Sequence, residues 1–157
     1  MISGKNIVLG VTGGIAAYKA CELVRRLVRE GASVQVIMTK NAAQFVSPLT
    51  FQTLSGKRVA MKTFDLEWES EIGHISLADR ADLVVIAPAT AAFIGKAASG
   101  MADDLLTTVL LATRATVMIC PAMNVNMYSN PVLQENMERL KRRGFVVVEP
   151  DEGDLAC

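Results

Sequence analysis
Histidine is almost missing from this chain of 157 residues: His74 is the single one. Without a second histidine or a Cys/Asp cluster at ligand spacing, the sequence offers no zinc site. Cysteine is sparse too. Cys21, Cys120 and Cys157 are odd in number and share no metal-like spacing, so reduced thiols in a cytoplasmic protein are the expected state. Net charge is absent, because 16 Lys+Arg offset 16 Asp+Glu. With no long basic run either, nucleic acid and membrane surfaces are poor partners. Long apolar runs are lacking as well. The most apolar stretch, residues 83–95, covers 13 positions and contains Pro88, whereas a membrane span needs about 20. The opening MISGKNIVLGVTGG lacks the basic flank and cleavage site of a signal peptide, and none is expected.

Apolar residues are plentiful. They make up 51% of the chain against 20% charged, which excludes disorder and hints at apolar surface shared with a partner subunit. The length suits a single domain that buries about two thirds of its unfolded surface.

Residues 5–11 (KNIVLGV) read as a buried strand closed by Thr12-Gly13-Gly14. From Ile15 the period changes: Ala20, Leu23, Val24, Leu27 and Val28 share one helical face, and Gly31 stops the helix. Residues 33–38 (SVQVIM) form the next strand, completing a right-handed βαβ unit. Further along, residues 48–55 are a short helix ended by Gly56, and 57–73 an irregular, charged connection. Strands are expected at 83–87, 116–120 and 145–148, the first two bounded by Pro88 and Pro121. Helices are expected at 91–99, 105–112 and 131–143. Alternating strands and helices describe a doubly wound, mainly parallel α/β sheet of Rossmann-like type.

Such sheets bind ligands beyond the carboxyl ends of their strands. Four of those ends are distinctive here: Thr12-Gly13-Gly14, Thr39-Lys40-Asn41, Pro88-Ala89-Thr90 and Pro121-Ala122-Met123-Asn124. The first combines backbone N–H groups with a helix N-terminus, which suits a phosphate, with Thr12 or Thr39 able to add a hydroxyl. A purely structural βα turn explains the same glycines. No acidic residue closes the second strand, which favours a mononucleotide phosphate over NAD. His74 is either a loop histidine at a helix start or a base, its unperturbed pKa of about 6.5 suiting proton transfer. Asn124 and Asn126 are either turn formers or orienting amides. The uncharged string 121–128 has the apolar character of a ligand pocket.

The PAMNxxM string of residues 121–127 resembles the motif of the flavin-dependent cysteine decarboxylases. The match continues through residues 10–19 (GVTGGIAAYK), 39–42 (TKNA), 74–77 (HISL), 87–91 (APATA), 100–106 (GMADDLL) and 155–157 (LAC), so it spans essentially the whole chain. The resemblance implies FMN held between subunits of a homotrimer, the assembly being either that trimer or a dodecamer of trimers. Gly13, Gly14, Ile15, Thr39 and Asn41 would surround the FMN phosphate. Thr90, Ala91, Ala92 and Ala122 would line the flavin. His74 is implied as the base, Asn124 and Ala156 as substrate-binding residues, and Cys157 as the proton donor. The implied substrate is 4′-phosphopantothenoyl-L-cysteine of coenzyme A biosynthesis, and 4′-phosphopantetheine the product. Oxidation of the thiol-bearing carbon gives a thioaldehyde, carbon dioxide leaves to give an ene-thiolate, and reduction restores the flavin. Fusion to a phosphopantothenate–cysteine ligase domain is also implied.

Two departures stand out. Relatives often carry Asn or Asp where this chain has Ala92, and they continue past Cys157 into a flap that clamps the substrate. The sequence is therefore read as a decarboxylase domain cut within that flap. Two rival readings remain: a peptidyl-cysteine decarboxylase performing the oxidative half alone, and a non-catalytic FMN-binding regulatory subunit. The Leu-Ala-Cys ending argues against the first, and retention of both His74 and Cys157 against the second.

Overall fold
A computed structural model describes residues 1–65 and 73–151. Five strands, β1 (Asn6–Val11), β2 (Ser33–Met38), β3 (Leu83–Ala89), β4 (Thr116–Pro121) and β5 (Val146–Val147), form one sheet in the order β2-β1-β3-β4-β5. Every pairing is parallel. Among the described residues seven α-helices connect them: α1 (Ala17–Arg29), α2 (Pro48–Ser55), α3 (His74–Arg80), α4 (Ala91–Ser99), α5 (Leu105–Ala112), α6 (Val125–Tyr128) and α7 (Pro131–Arg142). The order reverses between β1 and β3, because β2 lies to one side of β1 and all later strands to the other.

Strand alternation divides the core in two. Ile7, Leu9 and Val11 of β1, with Val34, Val36 and Met38 of β2, pack beneath Ala17, Ala20 and Val24 of α1 and Phe51 of α2. Val8, Val84, Ile86, Val117 and Ile119 face the other way, against α3, α4, α5 and α7. Period-2 strands beneath amphipathic helices produce this double layer without further instruction. Gly31, at φ 83, turns the chain out of α1 in a conformation that side chains rarely adopt.

Several boundaries differ from the sequence reading. Pro88 lies inside β3 rather than ending it, whereas Pro121 is the final residue of β4. Register shifts between Ile86 and Ala89, so Pro88 occupies an irregularity where the missing N–H costs no ladder bond. The last strand shrinks to Val146–Val147, although Val148 N–H still donates to the Ile119 carbonyl (2.9 Å). Within the connection from residue 57, Ala60 bridges Ile37 as an extension of the sheet. Residues 66–72 of that connection lie outside the described residues. No helix among the described residues is long and apolar enough to cross a membrane.

At the opposite edge from the strand ends, Asp82 accepts from the Asn6 backbone N–H (2.7 Å) and meets Lys5 Nζ at 3.5 Å. The Asn6 hydrogen bond first, and the Lys5 charge after it, hold this carboxyl below its ordinary value. Its contribution to stability is therefore complete above about pH 4 and is lost as acid protonates it. Asp82→Asn is expected to be less stable than wild type at pH 7, the two converging only as acid protonates the native carboxyl, below its ordinary range. Urea midpoints followed from pH 7 into acid test it, and a difference that persists in acid overturns the assignment.

Candidate functional site
Where the sheet order reverses, the ends of β1 and β3 are tied by one side chain. Thr12 is buried, its hydroxyl donates to the Pro88 carbonyl (2.6 Å), and the same oxygen accepts from Thr90 N–H (3.0 Å). Its own backbone N–H also reaches the Pro88 carbonyl at 3.3 Å. Thr12 is thus a brace between loops. The sequence reading offered its hydroxyl to a phosphate; that proton is already committed to Pro88.

The next residue is held just as tightly. A Cβ on Gly13 would lie 2.4 Å from Asn41 Cβ and 2.9 Å from the Asn41 carbonyl carbon. Gly13 is required so that the loops after β1 and β2 can touch. Gly14 differs, because a Cβ there would meet only Thr90 Cγ2, at an ordinary 3.6 Å. After these glycines α1 begins with no side-chain cap and no acidic residue in its first turn. An uncapped helix start leaves backbone N–H groups for an anion. Thr39 accepts from Ala42 N–H (3.2 Å), shaping the turn that carries Asn41.

Opposite them, Thr90 caps α4 by accepting from Phe93 N–H (3.2 Å), which sets Ala91 and Ala92 at the helix start. Beyond β4, the string read as an uncharged loop contains the short helix α6. Asn124 caps it, its side-chain oxygen accepting from Asn126 N–H (2.8 Å). That bond orients the amide and leaves its NH2 as a donor. Lower on this wall, Asp104 and Thr107 form a reciprocal capping box at the start of α5. Lys96 is paired with Asp103 at 2.9 Å.

These segments enclose one cleft of about 1590 Å³, larger than the roughly 300–1,000 Å³ of an ordinary small-molecule site. Gly13, Gly14, Ile15, Thr39, Asn41, Thr90, Ala91, Ala92, Ala122 and Asn124 all line it. His74 does not. It opens α3 beside α5, and its Nδ1 is buried without a hydrogen-bond partner among the described residues. Topology explains the displacement, since α3 packs on one sheet face whereas the cleft lies beyond the strand ends. Ala156 and Cys157 lie outside the described residues. Cys120 also borders the cleft, its thiol pushed up by burial and so held in the neutral form.

Glu149 and Asp151 line the cleft without any signal in the sequence reading, and they adjoin Tyr128, the last residue of the string read as a pocket wall. Tyr128 donates its hydroxyl to the Glu149 carboxylate, and Lys141 Nζ meets the other carboxylate oxygen at 3.1 Å. Burial first, then the hydrogen bond to Glu149 and its charge, push Tyr128 up to about 12. Glu149 is held below its usual range by the Tyr128 hydrogen bond and then by Lys141. No local pattern announces this cluster, since its members lie 21 and 8 residues apart. Asp104 did carry a signal: an Asp three residues before Thr107, ahead of an apolar run.

The chain is 54% identical over 157 residues to the coenzyme A biosynthesis bifunctional protein CoaBC of Bacillus subtilis (strain 168), covering 100% of itself and 39% of that protein. It therefore spans well under half the length of this curated relative. Among solved structures, the FMN-dependent cysteine decarboxylase SpaF superposes with a TM-score of 0.87 at 32% identity, covering 98% of this chain and 88% of SpaF. A PPC decarboxylase mutant complexed with pantothenoylaminoethenethiol gives 0.82 at 31%, covering 97% and 85%. The model of one family, described as Flavoprotein, matches residues 1–157, and the chain belongs to the Flavoprotein family.

Proposed function
We propose that this chain binds FMN in the cleft and decarboxylates 4′-phosphopantothenoyl-L-cysteine to 4′-phosphopantetheine, in the cytoplasm, as a step of coenzyme A biosynthesis. The observation that carries the reading is the convergence of Gly13-Gly14, Thr39, Asn41, Thr90 and Ala122–Asn124 on one cleft in a chain 54% identical to a CoaBC protein. The residues present fit FMN. The uncapped start of α1 and the open side of Gly14 suit a phosphate, whereas Pro88, Ala91, Ala92 and Ala122 offer an apolar wall to a flat ring. When bound, FMN supplies a two-electron sink and source for the thiol-bearing carbon.

The protein's own residues do the rest. Asn124 presents its amide NH2 to the substrate carboxylate and fixes its orientation, which converts positioning into rate. His74 acts as the base and Cys157 as the proton donor, with Ala156 beside the substrate. Because His74 is absent from the lining of its own cleft, a neighbouring copy in a homotrimer, itself a unit of a dodecamer, supplies it. The exposed apolar side chains at the rim support such an assembly: Ile15 is 50%, Tyr18 58%, Val125 59% and Met127 49% accessible. The bifunctional name and greater length of the CoaBC relative support a ligase domain fused to this one.

The test is a product mass. FMN-loaded protein given phosphopantothenoylcysteine is expected to yield a product lighter by carbon dioxide alone. A product lighter by carbon dioxide and two hydrogens assigns the oxidative half alone, and purified protein that takes up no FMN overturns the proposal.

A further inference from the structure
We propose that Tyr128 and Lys141 clamp Glu149 and so set the position of Pro150 and Asp151 in the cleft wall, making Glu149 a positioning residue for the substrate end of the site. This deepens the decarboxylase reading and rests on it for the identity of the substrate. The sheet itself does not hold this stretch. β5 has two residues, the last ladder bond is Val148 N–H to Ile119, and Val148 is itself exposed. Glu149 is the next residue, and there the chain is gripped again, by the Tyr128 hydroxyl on one oxygen and Lys141 on the other. Lys141 is in turn held by Glu138 at 3.2 Å.

The post that carries the clamp is rigid. Tyr128 N–H donates to the Asn124 carbonyl (3.0 Å), and the Tyr128 carbonyl accepts from Gln134 Nε2 (2.6 Å). Tyr128 closes the same short helix that Asn124 caps. One four-residue helix therefore links the amide proposed to hold the carboxylate to residues 149–151 of the cleft lining. Glu149, Pro150, Asp151, Asn124 and Tyr128 all line the cleft. Stability alone is a weak reason for this arrangement, because a solvent-exposed Lys–Glu pair is worth little. A phenol donating to a carboxylate is directional and charge-assisted, which is what fixing a position requires.

The test uses Tyr128→Phe, which keeps the ring and removes the donor, with Lys141→Arg as the conservative control. Peptide-level amide hydrogen exchange over residues 148–151 is expected to quicken roughly tenfold in Tyr128→Phe and to stay near wild type in Lys141→Arg. FMN affinity, read by fluorescence titration, stays within about twofold of wild type, since the proposed phosphate cradle is built from the loops after β1 and β2. KM for phosphopantothenoylcysteine rises about tenfold with kcat less affected, whereas simple destabilisation would lower the active fraction and leave KM alone. Unchanged exchange at 148–151, or FMN affinity falling in step with KM, overturns the clamp. If wild type proves inactive on this substrate while Tyr128→Phe still loosens 148–151, the clamp stands and the assigned reaction falls.

Discussion
Replacing Gly13 with alanine is expected to weaken FMN binding by at least about tenfold, the equivalent of about 1.4 kcal/mol, and to destabilise the fold by about 1–3 kcal/mol. The new Cβ would sit 2.4 Å from Asn41 Cβ and 2.9 Å from its carbonyl carbon. Neither is the loose end of a side chain, so relief requires the loops after β1 and β2 to separate. Thr12 opposes that movement, being tied to Pro88 and Thr90 through its hydroxyl. The strain falls on the turn that delivers the start of α1 to the cleft. Gly14→Ala is the internal control, with its Cβ at an ordinary 3.6 Å from Thr90 Cγ2. Its stability should stay within about 0.5 kcal/mol of wild type. Urea unfolding and FMN titration of both variants decide the matter. A Gly13→Ala protein as stable as wild type and as avid for FMN would show that the two loops are free to part.

The contrast between those glycines shows what the sequence could convey. Glycine after an apolar strand marks a turn in either case. That Gly13 serves a loop–loop contact while Gly14 faces the cleft depends on Asn41 and Thr90, 28 and 76 residues away. The four strand ends were legible because parallel strands must all deliver their carboxyl ends to the same edge. Period-2 and period-3.6 patterns located β2, α2, α4 and α5 to the residue. Pro88 misled, because an irregular register between Ile86 and Ala89 tolerates its missing N–H inside β3. Helix α6 was illegible because four residues cannot display a helical period. Thr12 read as a ligand donor because no sequence shows that a carbonyl 76 residues later takes its proton.

His74→Asn is expected to reduce decarboxylation by about 10²–10⁴-fold, the range for loss of a general acid or base, while leaving bound FMN in place. Retained flavin follows from geometry, because His74 does not line the cleft of its own chain. The same observation makes a sharper demand. If a neighbouring copy supplies His74, two inactive variants should repair each other. Asn124→Ala keeps a sound histidine on a damaged cleft, and His74→Asn keeps a sound cleft. In a cyclic trimer assembled at random from equal amounts, about a quarter of the sites pair an intact cleft with an intact neighbouring histidine. Co-expressed chains should recover about that fraction of wild-type activity, although each homo-oligomer alone is inactive. A site completed within one chain predicts no recovery, since every cleft would then inherit a lesion from its own sequence. Mixed oligomers that hold FMN yet stay inactive would overturn the supply of His74 by a neighbouring copy. Its Nδ1, buried and unpartnered among the described residues, is the physical ground for expecting recovery, because an unmet polar atom under cover costs free energy until something beyond the chain satisfies it.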